Sequence, residues 1–354
     1  MRRKEYTMGL FTYMLAAILF LAISGCGDSG GPAACGPSEN IVDLDSDVYD
    51  IHDPTIIKED DTYYIFSSSP LGQIYSSPDL VTWSREGSVF DALPDWLLEE
   101  IPEANHIGAP DIEFYNGEFV LFYQSHIAGT CNAATGYAVN KTLNPESPNY
   151  AWQDRGLVLR SEPFFDDFDY VCGDPPIMYN AIDASLFIED GRTWLPFGST
   201  LGGVMMAELD PESLMLLDQP PQFHTLAMRP LSEPDPIIEA PYIHRRGEYY
   251  YLFLSFNSCC KGSETKYEIR AGRSESVTGP YYSKDGNSLL DGSATLIIQK
   301  DGNHIGTGHC EVFSENGKDW LVHHAYDADK DYRSVLHIRR LYWDSEGWPT
   351  VECQ

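Results

Sequence analysis

The chain has 354 residues, with 23 Lys and Arg against 54 Asp and Glu, and a formal net charge of -31 at pH 7. So acidic a surface repels phosphate backbones and polyanions, which excludes nucleic acid as a partner and leaves a neutral polymer unaffected.

Residues 1–25 read as a secretory leader. Arg2, Arg3 and Lys4 precede an apolar run from Met8 to Ile23, and small residues follow. The ending Ile23-Ser24-Gly25-Cys26 has the form of a bacterial lipobox, in which Cys26 becomes the lipidated N-terminus. Export across the inner membrane and a lipid anchor, in the periplasm or at the cell surface, are the expectation. Residues 26–46 are rich in Gly, Ser, Pro and Asp and read as a tether. Residues 47–354 suit one domain, because β-architectures often run this long undivided.

Within that domain one hairpin is written five times. His52-Asp53-Pro54-Thr55-Ile56-Ile57 turns at Glu59-Asp60-Asp61 into Tyr63-Tyr64-Ile65-Phe66. Ala109-Pro110-Asp111-Ile112 turns at Asn116-Gly117 into Phe119-Val120-Leu121-Phe122-Tyr123. Asn180-Ala181-Ile182-Asp183-Ala184-Ser185 turns at Asp190-Gly191 into Thr193-Trp194-Leu195-Pro196-Phe197. Glu239-Ala240-Pro241-Tyr242 turns at Arg246-Gly247 into Tyr249-Tyr250-Tyr251-Leu252-Phe253, and Gly308-His309-Cys310-Glu311 turns at Asn316-Gly317 into Trp320-Leu321-Val322. Asx-Gly pairs between apolar runs are hairpin turns. Five such units predict an all-β, five-bladed β-propeller, in which each sheet buries its faces against its neighbours. The competing architecture is a β-sandwich.

The eight cysteines are Cys26, Cys35, Cys131, Cys172, Cys259, Cys260, Cys310 and Cys353. If Cys26 carries lipid, an odd number remains, so at least one is free or pairs outside the chain. Cys35 with Cys353, near the two ends, and Cys131 with Cys172 are candidate bridges. No spacing of the zinc-cluster type is present.

Three carboxylates open strands on three different copies: Asp53, Asp183 and Glu239. Brought to one axis, neighbouring carboxyls push their pKa values apart and can divide acid and base roles, which is what glycoside hydrolysis requires.

At these residues the chain resembles glycoside hydrolase family 43. The five strand-opening strings carry the likeness, as do Ser255-Phe256-Asn257-Ser258-Cys259-Cys260, Gly272-Arg273-Ser274, Thr278-Gly279-Pro280-Tyr281, His324-Ala325-Tyr326-Asp327 and Leu341-Tyr342-Trp343. It is most similar to the endo-1,5-α-L-arabinanases of that family. The resemblance implies an inverting, monomeric enzyme acting on arabinose-containing, neutral plant polysaccharide. It implies Asp53 as general base, Glu239 as general acid and Asp183 as the group that raises the pKa of Glu239. Gly136, Asn180, Ala181, Ile182 and Ser199 would line the sugar site, and His309 would hold an axial metal ion, Ca2+ by the same likeness. Three positions depart from the family pattern. Gly108 stands where a Trp is usual, the stretch through Thr200-Leu201 runs short of an aromatic, and Cys310 replaces an Asn. An exo-acting α-L-arabinofuranosidase or β-xylosidase on the same scaffold, or a non-catalytic glycan-binding surface lipoprotein, are the alternatives.

Overall fold

The turns set the repeat. At Asn116-Gly117, Asp190-Gly191 and Asn316-Gly317 both residues have positive φ, the backbone that matches a two-residue loop to the twist of its strands. The computed structural model describes residues 48–128, 130, 132–161, 179–200, 203–218 and 220–352. The leader, Cys26, the tether, the candidate bridges Cys35–Cys353 and Cys131–Cys172, and Leu201 lie outside them. Among the described residues no helix is long and apolar enough to cross a membrane.

The strands form five sheets, each an antiparallel meander in chain order. The first holds β1 (Thr55–Glu59), β2 (Thr62–Ser67), β3 (Gln73–Ser77) and β4 (Ser84–Ser88). A short helix, α1 (Asp95–Glu100), leads to β5 (Gly108–Tyr115), β6 (Glu118–His126), β7 (Ala133–Asn140) and β8 (Gln153–Arg160). The third holds β9 (Phe187–Glu189), β10 (Arg192–Phe197), β11 (Val204–Leu209) and β12 (Phe223–Ala227). The fourth holds β13 (Ile238–Arg246), β14 (Tyr249–Phe256), β15 (Glu268–Ser274) and β16 (Thr295–Ile298). The fifth holds β17 (Lys300–Asp301), β18 (His304–Glu315), β19 (Lys318–Asp327), β20 (Arg333–Trp343) and β21 (Pro349–Thr350). This is the expected five-bladed propeller, and the sandwich reading falls.

Side chains alternate across a strand, so each second strand feeds two junctions at once. On β2, Tyr63 and Ile65 pack with Val322 and Ile338 of the fifth blade, while Tyr64 and Phe66 pack with Ile112, Phe119 and Leu121 of the second. On β6, Val120 and Phe122 meet Leu195 and Phe197 of the third blade. Leu252 and Leu254 of β14 meet Trp194 and Met206, whereas Tyr251 and Phe253 meet Val312 and Leu321. A strand buried on both faces has no polar side, which is why these segments read as unbroken apolar runs. The N-terminal end of the domain closes the ring: Tyr49 pairs with Val335 of β20, the Asp50 N–H donates to the Ser334 carbonyl at 2.8 Å, and Arg333 holds the Asp50 carboxylate at 2.6 Å.

Candidate active site

The five strand openings are equivalent. Asp53, Ala109, Asp183, Ala240 and His309, one per blade, all have positive φ, between 39° and 53°. A non-glycine residue there is strained and stays only where its surroundings hold it. In the second, fourth and fifth blades a β-bulge spans the position, between Gly108 and Asp111, Glu239 and Tyr242, and Gly308 and Glu311. A bulge re-aims the side chains beside it.

What holds these residues is a ring of bonds from blade to blade. The Ala109 N–H donates to Ser68 Oγ at 2.8 Å, the Asp183 N–H to Gln124 Oε1, the His309 N–H to Ser255 Oγ at 2.8 Å, and the Asp53 N–H to His324 Nδ1 at 3.1 Å. In each case the acceptor lies at or near the C-terminal end of the second strand of the preceding blade. The third blade has Gly198 at that place, where the Gly198 N–H bonds the Ile182 carbonyl, and it has no side chain to offer. Asp183 itself does the work there, its Oδ2 accepting the Ala240 N–H at 3.1 Å. A second ring lies further in. Thr55 Oγ1 accepts from Ile112 N–H, Asp111 Oδ2 from Leu186 N–H at 2.7 Å, and Glu311 Oε2 from Ile56 N–H at 2.8 Å. The Tyr242 hydroxyl donates to the Val312 carbonyl at 3.4 Å.

The ring brings Asp53, Asp183 and Glu239 to one end of the axis. Glu239 sits one residue earlier in its repeat than Asp53 and Asp183 do in theirs, beside the strained Ala240. Asp53 accepts from Ser68 Oγ at 2.6 Å through Oδ2, which also lies 2.9 Å from His52 Nδ1; His309 Nδ1 is 3.3 Å from Oδ1. Burial on its own would raise the Asp53 pKa, but the imidazoles of His52, His309 and His324 outweigh it and hold the carboxyl well below the usual range.

Glu239 is displaced the other way. Burial is the largest cause and the Asp53 charge adds to it, against donation from the Tyr267 hydroxyl to Oε1 at 2.8 Å and from Ser199 to Oε2 at 3.0 Å. The expected cause, repulsion by an ionised Asp183, is therefore not the leading one. Asp183 is raised as well, by burial, then by Glu239 and Asp53. The pair is tightly coupled, and the hydrogen bonds decide where its proton rests. Both Asp183 oxygens face N–H groups, Gln124 Nε2 at 3.2 Å and Ala240 N, which can only donate. The partners of Glu239 are hydroxyls, which can turn and accept. The proton belongs on Glu239.

Among the residues expected to line a sugar site, Ser199 reaches Glu239, and half-buried Asn180 accepts from Ser161 Oγ at 3.2 Å. Ala181 is fully buried and its carbonyl is taken by Thr135; Ile182 is 7% exposed. Gly136 is not with them. It is buried in the third strand of its blade, where a Cβ would fall 2.5 Å from the Trp96 ring. Over Gly108, where an aromatic was missed, lies the His106 ring, 3.1 Å from a Cβ built there. His52, Ser68, Gln124, Tyr267 and His324 escaped sequence reasoning. The signal was present in four of them, as a polar residue near the end of an aromatic strand (Ser68, Gln124, His324) or beside the strand-opening Asp (His52).

His309 lines an axial cavity of about 20 Å³ with Asp111, Asp183, Tyr242 and Glu311. Burial pushes Asp111 up to about 7 and Glu311 up to about 8. One imidazole and buried carboxyls line this space for a single small species, and they are of the donor type a hard cation takes.

The comparisons with known proteins agree with this geometry. The model of Glycosyl hydrolases family 43 matches residues 48–349. An extracellular exo-α-(1→5)-L-arabinofuranosidase of Cellvibrio japonicus is 39% identical over 312 residues, covering 86% of each chain. An extracellular endo-α-(1→5)-L-arabinanase of Bacillus subtilis is 33% identical over 306 residues, covering 85% of this chain and 87% of the relative. The solved structure of Cellvibrio cellulosa α-L-arabinanase with arabinohexaose superposes with a TM-score of 0.78 at 37% identity, covering 86% and 95% of the two chains. With five blades, three converging carboxylates and a match that runs the length of the propeller, the chain belongs to glycosyl hydrolase family 43.

Proposed function

We propose that this protein hydrolyses the α-1,5 bonds between arabinofuranose units of arabinan, with inversion at the anomeric carbon. The observation that carries the reading is the opposed displacement of two carboxyls at one end of the axis, Asp53 held down and Glu239 held up. Asp53, an anion, takes a proton from water as that water attacks the anomeric carbon. Glu239, protonated, gives its proton to the departing glycosidic oxygen, so the sugar bond breaks to an alcohol and no charge is left on the leaving group. Asp183 keeps the proton of the coupled pair on Glu239 and caps the turn that aims it. Ser199 and Asn180 are the sugar contacts this reading uses. His309 would hold Ca2+, whose charge would steady Asp53 as an anion.

Endo action has the support of the arabinanase relative. The exo reading is favoured by the more similar of the two relatives, named for chain-end release. Product sizes from linear arabinan separate them: mixed oligosaccharides mark endo action, arabinose alone marks exo. Under either mode, Asp53→Ala and Glu239→Ala should abolish hydrolysis, and the first product seen by NMR should be the inverted anomer. A retained anomer, or full activity in either variant, overturns the assignment. Secretion is supported by the extracellular names of both relatives. We further propose a lipid on Cys26 as the anchor, which membrane fractionation of Cys26→Ser checks.

A further inference from the structure

Cys259 and Cys260 are bonded to each other, directly after the strand that pairs with Glu239. Cys260 has positive φ (65°) and is exposed. Its sulfur lies 3.3 Å from the Tyr326 hydroxyl and 3.5 Å from His52 Nε2. His52 Nε2 is also 2.8 Å from Tyr326, its ring stacks on His324 at 4.2 Å, and its other nitrogen is the one 2.9 Å from Asp53. The disulfide thus touches the base through a single side chain. Ligand atoms of His52, Cys259 and Cys260 all lie within 4.8 Å of one another.

We propose that this disulfide is a redox-gated site for a soft divalent cation, built onto the catalytic base. The proposal rests on Asp53 being that base. While the sulfurs are bonded to each other, neither is a thiolate and the site is closed. A dithiol opens it: two electrons and two protons pass to the bridge, giving two thiols, and the dithiol becomes a cyclic disulfide. Zinc-class cations then find two thiolates, whose protons go to solvent, and the Nε2 lone pair of His52, three ligands of the type such ions select. A cation held there draws on the imidazole that Asp53 depends on. Disulfides persist outside the cell and are reduced inside it, so only a reducing environment opens the site.

The test uses the full protein in three forms: oxidised, reduced with dithiothreitol and desalted, and the Cys259→Ser/Cys260→Ser variant reduced in the same way. Micromolar Zn2+ is expected to slow the reduced form at least about tenfold, reversibly with chelator, and to leave the other two within about twofold. Co2+ is expected to give a thiolate charge-transfer absorption in the reduced parent and not in the reduced variant. Equal zinc responses in all three forms, or no difference in cobalt absorption between parent and variant, overturns the proposal. Absence of hydrolysis by the oxidised form would instead overturn the function, and the cobalt spectrum would still report on the site.

Discussion

Tyr267→Phe isolates the control of Glu239, the proposed acid. The Tyr267 hydroxyl donates to Glu239 Oε1 at 2.8 Å from a fully buried position. Its ring fills the notch left by Gly308, where a Cβ would fall 1.8 Å from Cδ1. Phenylalanine keeps that ring, so the change removes one donor and little else. A hydrogen bond to a charged group contributes up to about 1.5–3 kcal/mol, and it favours the ionised form of Glu239 over the protonated one, for which the turned hydroxyl leaves only a weaker, neutral bond. Its loss should raise the Glu239 pKa further, by about 1–2 units at 1.36 kcal/mol each. The sign follows from which form loses the bond: a destabilised carboxylate holds its proton to higher pH. The basic limb of kcat/KM should therefore move up by that amount. On arabinan kcat should fall by about tenfold to a hundredfold, because Glu239 must become the carboxylate as it gives up its proton. An aryl arabinoside, whose leaving group needs no proton, should lose far less. Parallel pH–rate profiles on the two substrates, with melting curves for the variant, make the measurement. A basic limb that stays in place, or equal losses on both substrates, would refute the argument.

Two further outcomes concern stability. Burial pushes His323 down to about 3, so it is folded in neutral and protonates readily only when unfolded. Its contribution is fully present above 6.5, the unfolded value, and is lost as pH falls from there toward the folded one; by about pH 5 this amounts to about 2 kcal/mol. Chemical unfolding at a series of pH values should show that decline, to which buried His126, His324 and His337 add in the same direction, and His323→Gln should make it shallower. If Ca2+ sits at His309, exhaustive chelation should lower the melting temperature, by about 2.7 kcal/mol of stability at a hundredfold excess of ion over Kd. His309→Ala should melt at one temperature with or without chelator.

Much of the architecture was legible because it is local. A two-residue Asx-Gly turn needs positive φ at both positions, and a strand buried on both faces needs apolar residues without alternation; both are written in single short segments. Counting the hairpins counted the blades, and the polar residue opening each one located Asp53, Asp183, Glu239 and His309. The contacts between blades were not legible, since they join residues far apart in the chain, 271 positions in the case of His324 and Asp53. Only the closed ring shows that Ser68, Gln124, Ser255 and His324 do the same task, and that Asp183 does it for the third blade because Gly198 cannot. Gly136 was misplaced for a related reason: the sequence does not say that Trp96 covers it. The pKa of Glu239 likewise depends on burial, a property of five sheets together, more than on any neighbouring charge. Residue types and their spacing determined the repeat and its three strand-opening carboxylates, and the family likeness implied which is acid and which is base. Packing around the axis decided which carboxyl keeps its proton, because hydrogen-bond direction and dielectric exist only once the ring is closed.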